Sequence, residues 1–318
     1  MPLRQAAALL SRLRLYERWL SMRRHVPAMF AEGPWRLNRQ AWLASLVRTA
    51  RGASDDDYGM VASAIAFSSF LALLPLLGAI VLVYGMVTPT DRVAENVRTL
   101  LFILPNEARA FIGSWLIEAI TRQDGREVGL LVAAGVALVA ALRAGRSIIG
   151  GLNVASGVQR PRGFLRRRMV ALLIVLCGAT LILGALFAIS ALAWIERALP
   201  PGLAAVLPAL RLGFWSLAAV GATGTLVIVY RYAPNRPPPR WRWMLPGALA
   251  ATALWLAATL AFGSYLASFG STRQTYGSVG AIIVLQLWLF LSGFVLLLGA
   301  KLNTELMRSA NVESSVEG

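Results

Sequence analysis

Lys301 and Glu305 stand four residues apart, the spacing at which a lysine and a carboxylate meet on one face of a helix. Arg143, Arg146, Gly150 and Asn153 follow i, i+3, i+7, i+10, so they share a second helical face, and it is cationic. Gln286 is a lone amide in an otherwise apolar run. Arg143, Arg146, Asn153, Gln286, Lys301 and Glu305 are therefore the candidates for a substrate pathway. Their chemistry is recognition, not bond breaking: guanidinium and amide groups attract a phosphate or an anionic headgroup. No carboxylate pair and no nucleophile–base set falls in the apolar runs, so catalysis is not expected. With one histidine, His25, and one cysteine, Cys177, neither a zinc site nor an internal disulfide is expected. The acidic run "SDDDYG" at 54–59 reads as a helix cap, with carboxylates against the helix dipole. No Gly-rich loop ends in Gly-Lys-Ser/Thr, so no nucleotide or other cofactor is expected.

These residues need elements to carry them, and composition says which. Of 318 residues, 57% are hydrophobic and 14% charged, with 31 Lys+Arg against 15 Asp+Glu. Soluble domains carry roughly 45–50% apolar and about 25% charged residues. A nucleic-acid module would show its basic stripe on a polar surface. Here the arginines cluster between greasy runs, so membrane lipids with anionic headgroups are the expected partners, and nucleic acid is not. A spanning helix needs about 20 apolar residues. Six stretches qualify: 58–87, 128–147, 169–195, 204–230, 244–269 and 278–302.

Charge in the connections sets the orientation. Residues 1–57 hold ten arginines, and residues 156–168 hold five with no acid. The stretch "YRYAPNRPPPRWRWMLPGA" at 230–248 holds four, again with no acid. The connections of opposite parity differ: residues 88–127 carry five arginines against six acids. This alternation predicts an all-α, polytopic bundle of six transmembrane helices with both termini in the cytoplasm. It divides the chain into a basic segment at 1–57, a membrane domain at 58–306 and a short tail at 307–318. Within 1–57, Leu9, Leu13, Tyr16 and Leu20 fall at helical spacing, which fits an amphipathic helix on the leaflet or a partly disordered tail. Phe111, Ile112, Trp115, Leu116, Ala119 and Ile120 mark an amphipathic helix in the long outer connection. It either rests on the interface or forms a lid. Arg143 lies near the inner edge of its span, where it either snorkels to headgroups or lines a cavity open to the cytoplasm. Trp241 and Trp243 are expected at headgroup level. Pro75 implies a kink in the first span. Gly221, Gly224, Gly247, Ala251, Gly293 and Ala300 are expected where helices touch closely.

The C-terminal half also resembles a known family, the YihY/BrkB inner-membrane proteins, once labelled ribonuclease BN. The resemblance runs through "YRYAPN" (Tyr230, Arg231, Pro234), "PGA" (Pro246, Gly247), "FGSYLASF" (Tyr265), "YGSVGAII" (Tyr276, Gly277) and "LLGAKLN" (Gly299, Asn303). "ASAIAFSSFLALLP", ending at Pro75, and "GLNVASGVQRPRGFLRRR" at 151–168 extend it to about residues 55–308. It implies a six-helix bundle in the bacterial inner membrane. Where the family usually carries Glu in "GAELN", this chain has Lys301, with Glu305 one turn on. A Tyr common in the family's first span is Phe67 here. The expected function is transport or export of a lipid-like or anionic envelope molecule. The alternative is a non-transporting scaffold or envelope-integrity protein, acting as a homo-oligomer or with a partner membrane protein. A ribonuclease role is disfavoured, because the histidine–aspartate cluster of a metal-dependent nuclease is missing from the sequence.

Overall fold

The computed structural model describes residues 33–87, 126–158, 163–198, 206–268 and 273–316. Every regular element among them is helical. A 3-10 turn at Pro34–Arg36 leads into α1 (Arg39–Asp55), α2 (Tyr58–Val87), α3 (Arg126–Ala155), α4 (Phe164–Ala198) and α5 (Leu207–Tyr232). A second 3-10 turn, Trp241–Trp243, precedes α6 (Leu245–Ser268) and α7 (Arg273–Val316). Lipid offers the backbone no hydrogen bonds, so long Ala/Leu runs satisfy their own as helices. Five of the described stretches are long and apolar enough to cross a membrane: Ala134–Ala155, Phe164–Gly184, Leu207–Tyr232, Trp241–Tyr265 and Ile282–Ala310. A shorter apolar stretch, Tyr58–Leu73, lies in α2. The expected amphipathic helices at 9–20 and 111–120, and Arg160 and Arg162, fall outside the described residues.

Several boundaries differ from expectation: α4 and α7 each begin five residues early, at Phe164 and Arg273, and two helices run on well past their expected ends. The helix begun at 128–147 continues to Ala155 as α3. The last helix does not end near residue 302: α7 runs on to Val316, and Met307 and Ser309 are buried. At 1.5 Å per residue its 44 residues reach roughly 66 Å, twice a hydrocarbon core of about 30 Å. The sequence reading also located no helix at 39–55, because α1 turns small and polar residues, Ser45, Thr49 and Gly52, toward the protein. An apolar stripe is therefore missing from its buried face.

α2 through α7 form a ring in chain order, each packing on the next, and α7 closes on α2. α7 also meets α1 and α3, so it is the common wall. Among the described residues the ring is tightest at one end. That end carries α1, residues 233–244 and the final turns of α7; with Arg166, Arg167, Arg168, Arg231, Arg236, Arg240 and Arg242 it is the basic end. One buried cluster unites Tyr58 and Ala62 of α2, Leu152 of α3, Tyr230 of α5, Ala248 of α6 and Leu297 of α7 there. Toward the opposite end the same helices expose Val139 (60%), Leu212 (69%) and Leu260 (73%).

The tight end is a crossing of backbones. A Cβ on Gly247 would collide with the Gly299 carbonyl oxygen and the Asn303 side chain. A Cβ on Gly145 would press on the Ala171 carbonyl, and one on Gly151 on Ile65 and Leu297. Gly293 lies against Ala62 and Ile65. Close approach of this kind requires small residues. Gly224 and Gly263, by contrast, have no described atom within reach of an added Cβ. Trp243 departs from the expected headgroup position: it is 1% exposed and packs in the core, while Trp241 is 46% exposed.

Gly247→Ala is expected to destabilise the chain by about 2 kcal/mol or more, since neither backbone nor Asn303 can give way. Gly263→Ala is expected to change little. Thermal unfolding of both variants in detergent measures the difference.

Candidate functional site

An ionic seam joins α1 to α7 at the basic end. The Lys301 Nζ donates to Asp56 Oδ2 at 2.7 Å and lies 3.7 Å from Glu305 Oε1. Glu305, 4% exposed, accepts from Arg48 Nε at 2.8 Å through its other oxygen. Arg48 also donates to Ser309 Oγ and, at 3.2 Å, to Ser45 Oγ, and the two serine hydroxyls meet at 2.8 Å. The pairing runs antiparallel: Gly52 faces Lys301, Arg48 faces Glu305, and Ser45 faces Ser309. Gly52 permits it, because a Cβ there would strike the lysine stem. The acidic run at 55–57 stands directly before α2, where the Asp57 carbonyl accepts the Val61 amide at 3.2 Å, and it also serves the seam. Asp55 ends α1, Asp57 takes a left-handed φ of 50°, and Asp56 binds Lys301. The sequence signal for this seam was Ser45, Thr49 and Gly52 at i, i+4, i+7, a small-residue stripe matching a helix already in view.

A second polar junction ties α5, α6 and α7 together. Tyr230 Oη donates to the Leu296 carbonyl at 2.9 Å. Asn303 Oδ1 accepts from the Gly247 amide at 2.8 Å, and its Nδ2 donates to the Met244 carbonyl at 3.1 Å. Gly247 sits in the first turn of α6, where amides lack an intrahelical acceptor. Pro246 has no amide to satisfy. Asn303 thus caps α6 from a neighbouring helix.

Directly beyond this junction lies a cavity of about 260 Å³ lined from all six helices of the ring. Ile65, Ile148, Leu181, Leu226, Trp255 and Leu296 represent them. Three of its polar groups, Thr252, Trp255 and Ser292, are engaged in hydrogen bonds. Trp255 Nε1 donates to Ser292 Oγ at 3.0 Å, which donates to the Trp288 carbonyl at 2.8 Å. The Thr223 hydroxyl donates to the Ala219 carbonyl, and the Thr252 hydroxyl lies 3.0 Å from it. Trp255 and Trp288 meet edge to face, centroids 6.0 Å apart. The wall is consequently apolar in effect, suited to hydrocarbon and offering no free charge.

The sequence candidates do not converge on that cavity. Arg143 is exposed, and Arg146 donates Nε to the Leu142 carbonyl of its own helix. Asn153 Oδ1 accepts from the Asn235 amide at 2.8 Å, pinning the turn after α5. Gln286 is half-buried on α7 outside the cavity lining. Lys301 and Glu305 belong to the ionic seam. Pro75 lies within the continuous α2, and Pro234, Pro246, Gly247 and Gly299 are buried at the basic end. Tyr265 is 54% exposed toward the opposite end, and Tyr276 and Gly277 belong to the first turns of α7. Among the described residues no three metal-binding side chains come together.

Lys301→Glu places a third carboxylate beside Asp56 and Glu305 and is expected to cost on the order of 3 kcal/mol. Asp56→Lys combined with Lys301→Glu restores one pair and is expected to recover most of the loss. Thermal unfolding of the single and double variants measures both.

Known proteins resemble this chain along most of its length. The model of the family described as virulence factor BrkB matches residues 49–317. The ribonuclease-like protein YfkH of Bacillus subtilis (strain 168) is 30% identical over 75% of this chain and 86% of its own. The UPF0761 membrane proteins of Laribacter hongkongensis (strain HLHK9) and Stenotrophomonas maltophilia (strain K279a) are each 30% identical, over 77% and 79% of this chain. The matched regions span 57% and 58% of those two proteins, less than two thirds of their length. No solved structure matches. The described helices that can cross a membrane and these relatives agree on an integral membrane protein, and the match over residues 49–317 shows that the chain belongs to the BrkB virulence-factor family.

Proposed function

We propose that this chain is a six-span protein of the bacterial inner membrane, its basic end in the cytoplasm, that takes the hydrocarbon part of a lipid-like molecule into its bundle and supports export of that molecule. The cavity carries the reading. All six helices of the ring contribute to it, its wall is apolar, and its 260 Å³ falls just below the roughly 300–1,000 Å³ of sites that enclose a whole drug-sized ligand. A segment of acyl chain fits it better than a complete polar solute.

Supporting observations come from the ends. The Tyr230, Gly247, Gly299 and Asn303 junction floors the cavity on the basic side. The arginine-rich turns at that side agree with a cytoplasmic placement of both termini. The sixth span is α2, whose 30 residues suffice to cross a core of about 30 Å. No ATP-binding motif is present in the sequence, so movement is passive or is driven by a gradient or a partner.

A scaffold role is the second reading. It is favoured by the fact that Tyr230, Gly247, Gly299 and Asn303, all in the family motifs, spend their side chains or their smallness on packing. Filling the cavity separates the two. Ala222 lines it and is half-buried, so Ala222→Trp obstructs the space without entering the junction. In proteoliposomes holding a fluorescent short-chain phospholipid, the wild-type chain is expected to move the probe between leaflets faster than empty liposomes, and Ala222→Trp to abolish the gain. Wild-type liposomes no faster than empty ones, together with full cellular function of Ala222→Trp, would leave only the scaffold.

A further inference from the structure

Two half-buried guanidinium groups at the basic end have no carboxylate to answer them among the described residues. Arg231, in the last turn of α5, lies 4.2 Å from the Trp241 ring centroid and 5.4 Å from that of Tyr232. Its Nε and Nη1 are enclosed and have no hydrogen-bond partner among the described residues. Five residues on, Arg236 has an enclosed Nε in the same condition. Burial pushes its guanidinium down to about 10, which still leaves it charged near neutral pH. The turn between them is held in place. The Asn235 amide donates to Asn153 Oδ1 at 2.8 Å, and the Arg236 amide donates to the Pro234 carbonyl at 2.9 Å. The first of these bonds sets the turn against the end of α3, where the Ser156 hydroxyl is also buried without a partner among the described residues.

A buried charge needs a counter-charge. Residues 230–248 contain no Asp or Glu, and Asp56 and Glu305 are engaged by Lys301 and Arg48. Among the described residues no carboxylate answers either group, so a counter-anion from outside them is called for. Stacking on Trp241 holds the guanidinium of Arg231, whose enclosed Nε and Nη1 meet no acceptor among the described residues. The planar edge of a guanidinium matches two oxygens of a phosphate better than it matches a single acceptor. Three orphaned guanidinium nitrogens and a hydroxyl suit a group with several oxygens.

We propose that the turn from Arg231 to Arg236, against the end of α3, binds a phosphate group, carried by a phospholipid headgroup or free in solution. The site lies beyond the junction that floors the cavity and does not depend on lipid moving through the bundle.

The test uses the full chain in detergent, with Arg231→Gln/Arg236→Gln beside Arg240→Gln/Arg242→Gln, which removes the same charge from exposed positions of the same turn. Native mass spectrometry follows incubation with equal phosphatidylglycerol and glucosyl diacylglycerol, which lacks phosphate. Thermal unfolding is followed with inorganic phosphate against chloride at equal ionic strength. A headgroup site predicts about a tenfold or greater preference for phosphatidylglycerol in the wild type and in the exposed variant, lost in Arg231→Gln/Arg236→Gln. A free-phosphate site predicts a rise in the unfolding midpoint with inorganic phosphate, lost in the same variant, and no lipid preference. Should that variant not fold, Arg231→Lys/Arg236→Lys keeps the charge without the fork and is expected to weaken whichever response the wild type shows. A wild type with neither response, or variants at Arg231 and Arg236 that respond as the wild type does, overturns the proposal.

Discussion

Asn303 holds two helices together at the point where their backbones nearly touch. Its amide closes on the Gly247 N–H and the Met244 carbonyl, while Gly247 and Gly299 remove the side chains that would keep α6 and α7 apart. In an apolar setting an unanswered amide costs roughly 1–3 kcal/mol, so the arrangement is worth most where water is absent. The other packing at the basic end is arranged about it. Tyr230 reaches across from α5 to the α7 carbonyl at Leu296, and Ala251 packs beside Gly299. Were α6 and α7 to part, the cavity would lose its floor and the ring its common wall.

The ionic seam extends that wall beyond the apolar region. α7 outruns any bilayer, and its continuation is covered by α1 through Lys301, Glu305, Arg48 and two serines. A buried carboxylate between two cations is tolerable because each oxygen has its own partner; with one removed, the desolvation cost stands alone. A lysine at 301 is intelligible on these terms. Asp56 and Glu305 supply the acids here, so the residue between them is the base.

Much of the bundle was legible because lipid imposes a simple rule: long apolar runs become helices, and arginines mark their ends. The boundaries of α2, α5 and α6 follow from that rule, and Pro246 marks the start of α6. What escaped depended on three-dimensional neighbours. α1 does not stand out within the basic segment, which reads as an amphipathic helix on the leaflet or a partly disordered tail, because its buried face is serine, threonine and glycine, which become informative only once α7 is beside them. Trp243 looked like an interfacial tryptophan because its sequence neighbours are Arg240 and Arg242, yet the 3-10 turn rolls it inward against Met244 and the core. The cavity left no mark on any single helix, since each contributes only a few ordinary apolar side chains. The cationic face of Arg143 and Arg146 was conspicuous in the sequence and stands apart from the cavity. Asn153 continues that face, and its oxygen is spent on the Asn235 amide.

Exchange of the Gly247 amide hydrogen tests the central junction most directly. As a first-turn amide of α6 it has no intrahelical acceptor, so any protection comes through Asn303 Oδ1. With the full chain in nanodiscs, slow exchange is predicted in the wild type, and exchange close to that of a free amide in Asn303→Ala, while amides later in α6 change far less. Rapid exchange of the Gly247 amide in the wild type, or protection unaltered by Asn303→Ala, would contradict the account.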